Sequence, residues 1–120
     1  MAPVASRVRR MSDARAQEFR MEEERRDATV VLKLRGELDL ASTDALTERL
    51  RELRDAGQPA LLDLDDLAFM DSSGLRVVLL ATEMSRAGGW RFAVTAGSAP
   101  VRRLFASAGV TDRLPIEPVR

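Results

Sequence analysis

The residues best suited to chemistry stand together at Met70-Asp71-Ser72-Ser73-Gly74-Leu75: an acid, two hydroxyls and a glycine, after an apolar run and at the start of an amphipathic stretch. A serine attacks a substrate only when a base takes its proton and oriented donors receive the oxyanion. The chain has no histidine and no cysteine, and its single lysine is Lys33. The usual general base, the thiolate nucleophile and the commonest metal ligand are therefore missing, and a Ser–Lys pair would have to recruit Lys33 alone. Ser72 and Ser73 read better as hydroxyls modified by another protein, and no enzyme is expected here.

The local physics favours a helix start. Asp71 is a natural N-cap, and both serines fall in the first turn, where backbone N–H groups lack partners and would welcome an anion. Gly74 costs roughly 0.5–1 kcal/mol relative to alanine inside a helix. Its presence predicts an irregular first turn or a close approach to the backbone. The plain alternative is that Asp71 or a serine caps the helix and nothing more happens. In a parallel α/β sheet, however, Asp39, Asp65, Asp66 and Asp71 would gather at the edge formed by the strand C-termini. Such an acidic rim would suit a magnesium ion, a phosphoryl acceptor or a docking patch, while Asp65-Asp66 alone reads as turn chemistry.

The elements that must position these groups follow from periodicity. Phe19 and Met21 alternate with charged neighbours, residues 26–28 read as a turn and residues 30–34 are β-rich, which predicts an antiparallel hairpin. Residues 36–39 read as a break. Ser42 or Thr43 should cap a helix carrying Leu46, Leu50 and Leu53, ended by Gly57 and Pro59. A buried strand is expected over residues 60–64, then a turn at 65–67, with residues 68–70 leading into the serines. Leu75, Val78, Leu79 and Thr82 should line the next helix, widened by Val77 and Leu80 and stopped by Gly88-Gly89. Residues 90–94 read as a further central strand. Ser98 should cap a helix with Pro100 near its start and an inner stripe of Val101, Leu104 and Phe105, ended by Gly109. Leu114-Pro115-Ile116 is expected as a short edge strand. The alternation predicts an α/β unit with right-handed crossovers and the first strand antiparallel at one side.

Composition narrows the class. The 120 residues suffice for one core, and 19 basic residues balance 19 acidic ones, which argues against a dedicated nucleic-acid binder. No apolar run reaches the roughly 18–20 residues of a membrane span. The absence of cysteine fits a reducing compartment. Residues 1–17, with Arg7, Arg9 and Arg10 and no apolar periodicity, are expected to form an unstructured arm, residues 18–117 the domain and 118–120 a tail.

Residues 69–75, with Gly36-Glu37-Leu38-Asp39 upstream and Ser98-Ala99-Pro100-Val101-Arg102-Arg103-Leu104-Phe105 and Ser107-Ala108-Gly109-Val110 downstream, closely resemble the STAS domains of bacterial anti-sigma factor antagonists. The resemblance covers about residues 18–117, with several motifs in the right order. It implies a single STAS-type domain, with a mixed, mostly parallel sheet of four to five strands and three interleaved helices. It also implies that Ser72 is phosphorylated by a partner anti-sigma factor with serine kinase activity. The unphosphorylated antagonist binds that partner and frees the sigma factor; the phosphorylated form lets go, and a PP2C-type phosphatase restores it. Asp39 matches an acidic residue of the family implicated in partner contact. The implied partner surface comprises Asp39, Asp71, Ser72, Ser73, Gly74 and Arg76. ATP belongs to the kinase, so no cofactor is expected; the setting is a cytoplasmic monomer without membrane or nucleic-acid contact. Arg76 departs from the family, standing where a small glycine is common, and it can pair with a phosphate, meet a partner's acid or extend into water. The final helix of many members is expected to be missing or short.

Other readings compete. Leu61-Leu62-Asp63-Leu64-Asp65 suggests an aspartate-phosphorylated receiver, but Lys33 in an early strand is misplaced for that role. Within the family, STAS modules of stressosome, sensory or lipid-transport assemblies need no cycling phosphate.

Overall fold

The computed structural model describes residues 18–117; the expected arm (1–17) and tail (118–120) lie outside the described residues. Strand β1 (Arg20–Arg26) turns at Asp27 into β2 (Thr29–Leu38), pairing antiparallel from Arg20↔Arg35 to Arg26↔Thr29. The hairpin is thus formed as its alternation predicts. Asp27 takes the positive φ of 56° that the tight turn demands, a conformation aspartate tolerates better than most residues.

Residues 36–38 do not break the strand, contrary to the sequence expectation, and only Asp39 lies beyond its end. Gly36 adopts φ 84°, the pairing with β1 ends one residue before it, and β2 runs on to Leu38 beside a new neighbour. That neighbour is β4 (Leu67–Met70), the segment read from sequence as a mere lead-in. Its register, Gly36↔Leu67 then Glu37↔Phe69, leaves Ala68 as an extra residue, so this is a bulge that kinks the ladder. The single strand β2 therefore serves two partners in turn. Its first half pairs in parallel with β3 (Ala60–Asp63), its second with β4.

The main sheet has the order β1-β2-β3-β5, with β5 spanning Phe92–Val94. β5 is consequently not a central strand: beyond β3 it meets only an isolated parallel bridge, Val94↔Ile116. The expected strand at residues 114–116 shrinks to that bridge, as Pro115 carries no N–H to extend a ladder. Five strands, three helices and parallel pairing everywhere except β1 give the mixed α/β domain expected.

Helix α1 (Thr43–Asp55) buries Leu46, Leu50 and Leu53, three and four residues apart. Helix α2 (Ser72–Gly88) buries Leu75, Val77, Val78, Ala81 and Thr82 and packs on α1. Leu80, expected to widen that face, is instead 42 % exposed. Helix α3 (Ala99–Ala108) anchors through Val101 and Phe105. Gly89 and Gly109 end α2 and α3 in the left-handed conformation. Neither Ser42 nor Ser98 caps its helix by a side-chain bond. Ser98 Oγ donates instead to the Leu67 carbonyl at 2.5 Å, tying the start of α3 to the start of β4. At the opposite end of the sheet Trp90 is buried, stacked on Phe92 with centroids 5.1 Å apart, and donates through Nε1 to the Gln58 carbonyl at 2.7 Å.

Candidate functional site

The ends of β2 and β4 lie side by side, and this fixes the serine motif. Asp71 N–H donates to the Leu38 carbonyl at 3.2 Å, after which Asp71 turns extended (φ −100°, ψ −174°) as the N-cap of α2. Its Oδ1 accepts from the Ser73 amide at 2.9 Å, the Gly74 amide at 3.2 Å and the Ser73 hydroxyl at 2.5 Å. The Ser73 hydroxyl is the main cause holding this carboxyl below its ordinary range; partial burial opposes it, and the amides of Gly74, Ser73 and Leu40 add to the lowering. The sign of the linkage follows. A depressed carboxylate stabilises the fold above the unfolded pKa of about 3.9, and that contribution disappears as pH falls from there through the folded value. Asp71→Asn should therefore flatten the acid limb of stability, measured as urea midpoint between about pH 5 and pH 2.5; parallel curves for the two proteins would contradict this.

The same bonds separate the two serines, which sequence left open. Ser73 is half-buried and its hydroxyl is held by Asp71. Ser72 is exposed and its hydroxyl makes no hydrogen bond to a described residue. One expectation changes as well. The first-turn amides were to welcome an anion, but those of Ser73 and Gly74 are already taken by Asp71, and Leu75 N–H donates to the Asp71 carbonyl. Of the orphan donors only that of Ser72 itself is left.

Gly74 is buried against the molecule's own core. A Cβ there would lie 2.8 Å from Met70 Cγ and 2.9 Å from Leu38 Cγ, inside contact distance. The close approach predicted for this glycine is made by the tips of β4 and β2.

The four acids do not form one rim. Asp65 and Asp66 lie just before β4 and Asp71 just after it, with the four residues of that strand, roughly 13 Å of chain, between them, and Asp39 follows the end of β2 beside Asp71. Asp65 accepts the Gly97 amide at 3.0 Å, and Asp66 pairs with Lys33 at 3.7 Å and Arg35 at 3.4 Å. Among the described residues no group of three or more acids is placed to hold a metal ion. Asp39 shapes the loop into α1: its Oδ1 accepts the Ala41 amide at 3.1 Å, and its carbonyl accepts from the Ser42 and Thr43 amides. Ser42, expected as a cap, accepts the Asp39 amide through Oγ at 3.0 Å. Arg76 is exposed on α2 and forms no ion pair with a described residue.

Two surface residues escaped the sequence reading. Leu40 is 77 % exposed next to Asp39, and Phe69 is 46 % exposed two residues before Asp71. A lone leucine in a loop and a phenylalanine in an apolar run carry no signal of exposure without the fold. A cavity of about 570 Å³ lies at the far end of the sheet, lined by Thr29, Pro59, Arg91 and Phe92, and takes no part in this surface.

Comparison with known proteins agrees with this geometry. The family model of the STAS domain matches residues 20–120. The chain is 32 % identical over 100 residues to the anti-sigma F factor antagonist of Paenibacillus polymyxa, covering 82 % of this chain and 86 % of that one. It is 34 % identical over 77 residues to osmosensory protein A of Mycobacterium tuberculosis, covering 64 % of this chain but spanning only about half (48 %) of that relative. Among solved structures, the anti-sigma factor antagonist SpoIIAA in its unphosphorylated form superposes with a TM-score of 0.68 at 26 % identity (86 % and 89 % coverage). The phosphorylated form of SpoIIAA, from Bacillus, gives 0.65 at 25 % (86 % and 92 %). The fold is thus that of a STAS domain. The chain belongs to the STAS-domain family of anti-sigma factor antagonists. The receiver reading is set aside by the same matches, and Lys33 lies mid-strand, 3.9 Å from Asp63. Among the described residues no helix is long and apolar enough to cross a membrane.

Proposed function

We propose that this protein is a phosphorylation-switched antagonist: unphosphorylated, it binds an anti-sigma factor that is also a serine kinase and so releases a sigma factor; phosphorylated on Ser72, it lets go. A PP2C-type phosphatase resets the cycle, the protein itself catalyses nothing, and the setting is a cytoplasmic monomer. The carrying observation is the asymmetry of the serine pair, with Ser72 exposed and bonded to no described residue and Ser73 locked to Asp71. That a relative's structure exists in a phosphorylated form supports the same reading. The partner surface consists of Asp39, Asp71, Ser72, Ser73 and Arg76, to which the exposed Leu40 adds an apolar contact, whereas Gly74, expected there from the sequence, is buried against Leu38 and Met70 and supports the turn from beneath.

The switch is electrostatic. A phosphate adds about −1.5 to −2 charge and three acceptor oxygens. Asp71 and Asp39 stand beside it, and docking would have to desolvate the whole group, a cost of several kcal/mol. Since about 1.4 kcal/mol is tenfold in affinity, no refolding is needed to break the complex. Incubation with a candidate anti-sigma kinase and ATP, followed by mass-spectrometric mapping, tests the assignment. One acid-stable phosphate is expected on Ser72, absent in Ser72→Ala and retained in Ser73→Ala. Phosphate on Ser73 or on an aspartate would overturn it.

A further inference from the structure

Arg76 follows Ser72 by four residues on α2, the spacing that places two side chains one above the other on a helix surface, roughly 5–6 Å apart at Cβ. Both are exposed, and neither side chain bonds to a described residue. The Ser73 and Gly74 amides, which would otherwise cradle an anion, are occupied by Asp71. The turn is walled by acids, Asp71 at its cap and Asp39 on the adjoining loop, whose Leu40 amide helps hold the Asp71 carboxyl below its ordinary range. A group with two negative charges on Ser72 thus finds only the Ser72 amide left among the first-turn donors and is repelled from the loop side, while a guanidinium that pairs with no described residue stands along the helix.

We propose that Arg76 holds the phosphate of phosphorylated Ser72, drawing it along α2 and away from Asp39 and Asp71, so that this chain stores its switched-off state in an internal phosphate–arginine pair. The proposal rests on Ser72 being the phosphorylated residue. Guanidinium suits the role, because its fork offers two parallel N–H bonds to phosphate oxygens where an ammonium offers a point charge. A glycine at this position would offer neither. The pair makes Arg76 unavailable to a partner in the phosphorylated form and available in the unphosphorylated one, which couples one modification to two changes at the docking surface.

The test uses full-length protein carrying genetically encoded phosphoserine at position 72, which removes any dependence on a kinase. Phosphorus NMR titration should give a second phosphate pKa, ordinarily about 6, that is lower in wild type than in Arg76→Gln by about 0.3 unit or more, with Arg76→Lys between them. The Arg76 Nε–H resonance should shift when Ser72 carries phosphate and stay put when it does not. Superimposable titrations of wild type and Arg76→Gln, with a stationary Nε–H, overturn the pair. That result would leave the kinase assignment standing. Conversely, a kinase that ignores Ser72 would sink the switch and leave the NMR result intact.

Discussion

Ser72→Asp is expected to bind the anti-sigma factor at least roughly tenfold more weakly than wild type in calorimetric titration, while Ser72→Ala binds as tightly as wild type and takes no phosphate. A carboxylate carries half the charge of a phosphate, so the loss sets a lower bound for the modified protein. What makes the experiment clean is the site's construction. The Ser72 side chain is exposed and bonds to no described residue, and an acid in the first turn of a helix is favourable by about 0.3–1 kcal/mol. Thermal midpoints of all three proteins should therefore agree within a few degrees while their affinities diverge. Wild-type affinity for Ser72→Asp would leave the switch without a mechanism.

Gly74→Ala is expected to destabilise the fold by about 1–3 kcal/mol in urea titration, even though alanine is the better helix former. Helix propensity favours the substitution by roughly 0.5–1 kcal/mol. Against it stands a methyl placed 2.8 Å from Met70 Cγ and 2.9 Å from Leu38 Cγ, the mid-chain atoms of two buried side chains. Neither can yield without moving the start of α2 from the ends of β2 and β4. The displacement should carry Asp71 with it, so the acid limb of stability is expected to flatten in this variant too. Leu38→Ala removes the Cγ that the new methyl meets, so the double variant should lose less stability than the sum of the two single variants, a non-additivity a double-mutant cycle measures. A Gly74→Ala protein as stable as wild type would show that the contact yields at no cost.

Much of this was legible in the sequence where apolar periodicity was long. The three helices, the hairpin and the parallel alternation follow from stripes such as Leu46, Leu50 and Leu53, and from glycines placed just past helix ends. The reading failed where structure depends on a distant partner. Gly36 looked like a terminator because glycine usually is one; only β4 arriving alongside carries the strand past it. β4 itself, four residues with one of them extra, has too little pattern to announce a strand. The same omission misplaced the acids, since without β4 nothing separates Asp65 and Asp66 from Asp71. At the site, residue types pointed to a serine but could not choose between two. What distinguishes the two hydroxyls is a single 2.5 Å bond between Ser73 and Asp71, a matter of side-chain rotation that no spacing encodes.

The lone indole has a practical consequence. With no tyrosine in the chain, its ultraviolet emission comes from Trp90 alone, shielded against Phe92 at the pole of the sheet remote from Ser72. Intrinsic fluorescence should track global melting faithfully and stay blind to complex formation. A spectroscopist wishing to watch docking would need a dye attached elsewhere, and exposed Ala41, near the acidic loop, is a natural place for it.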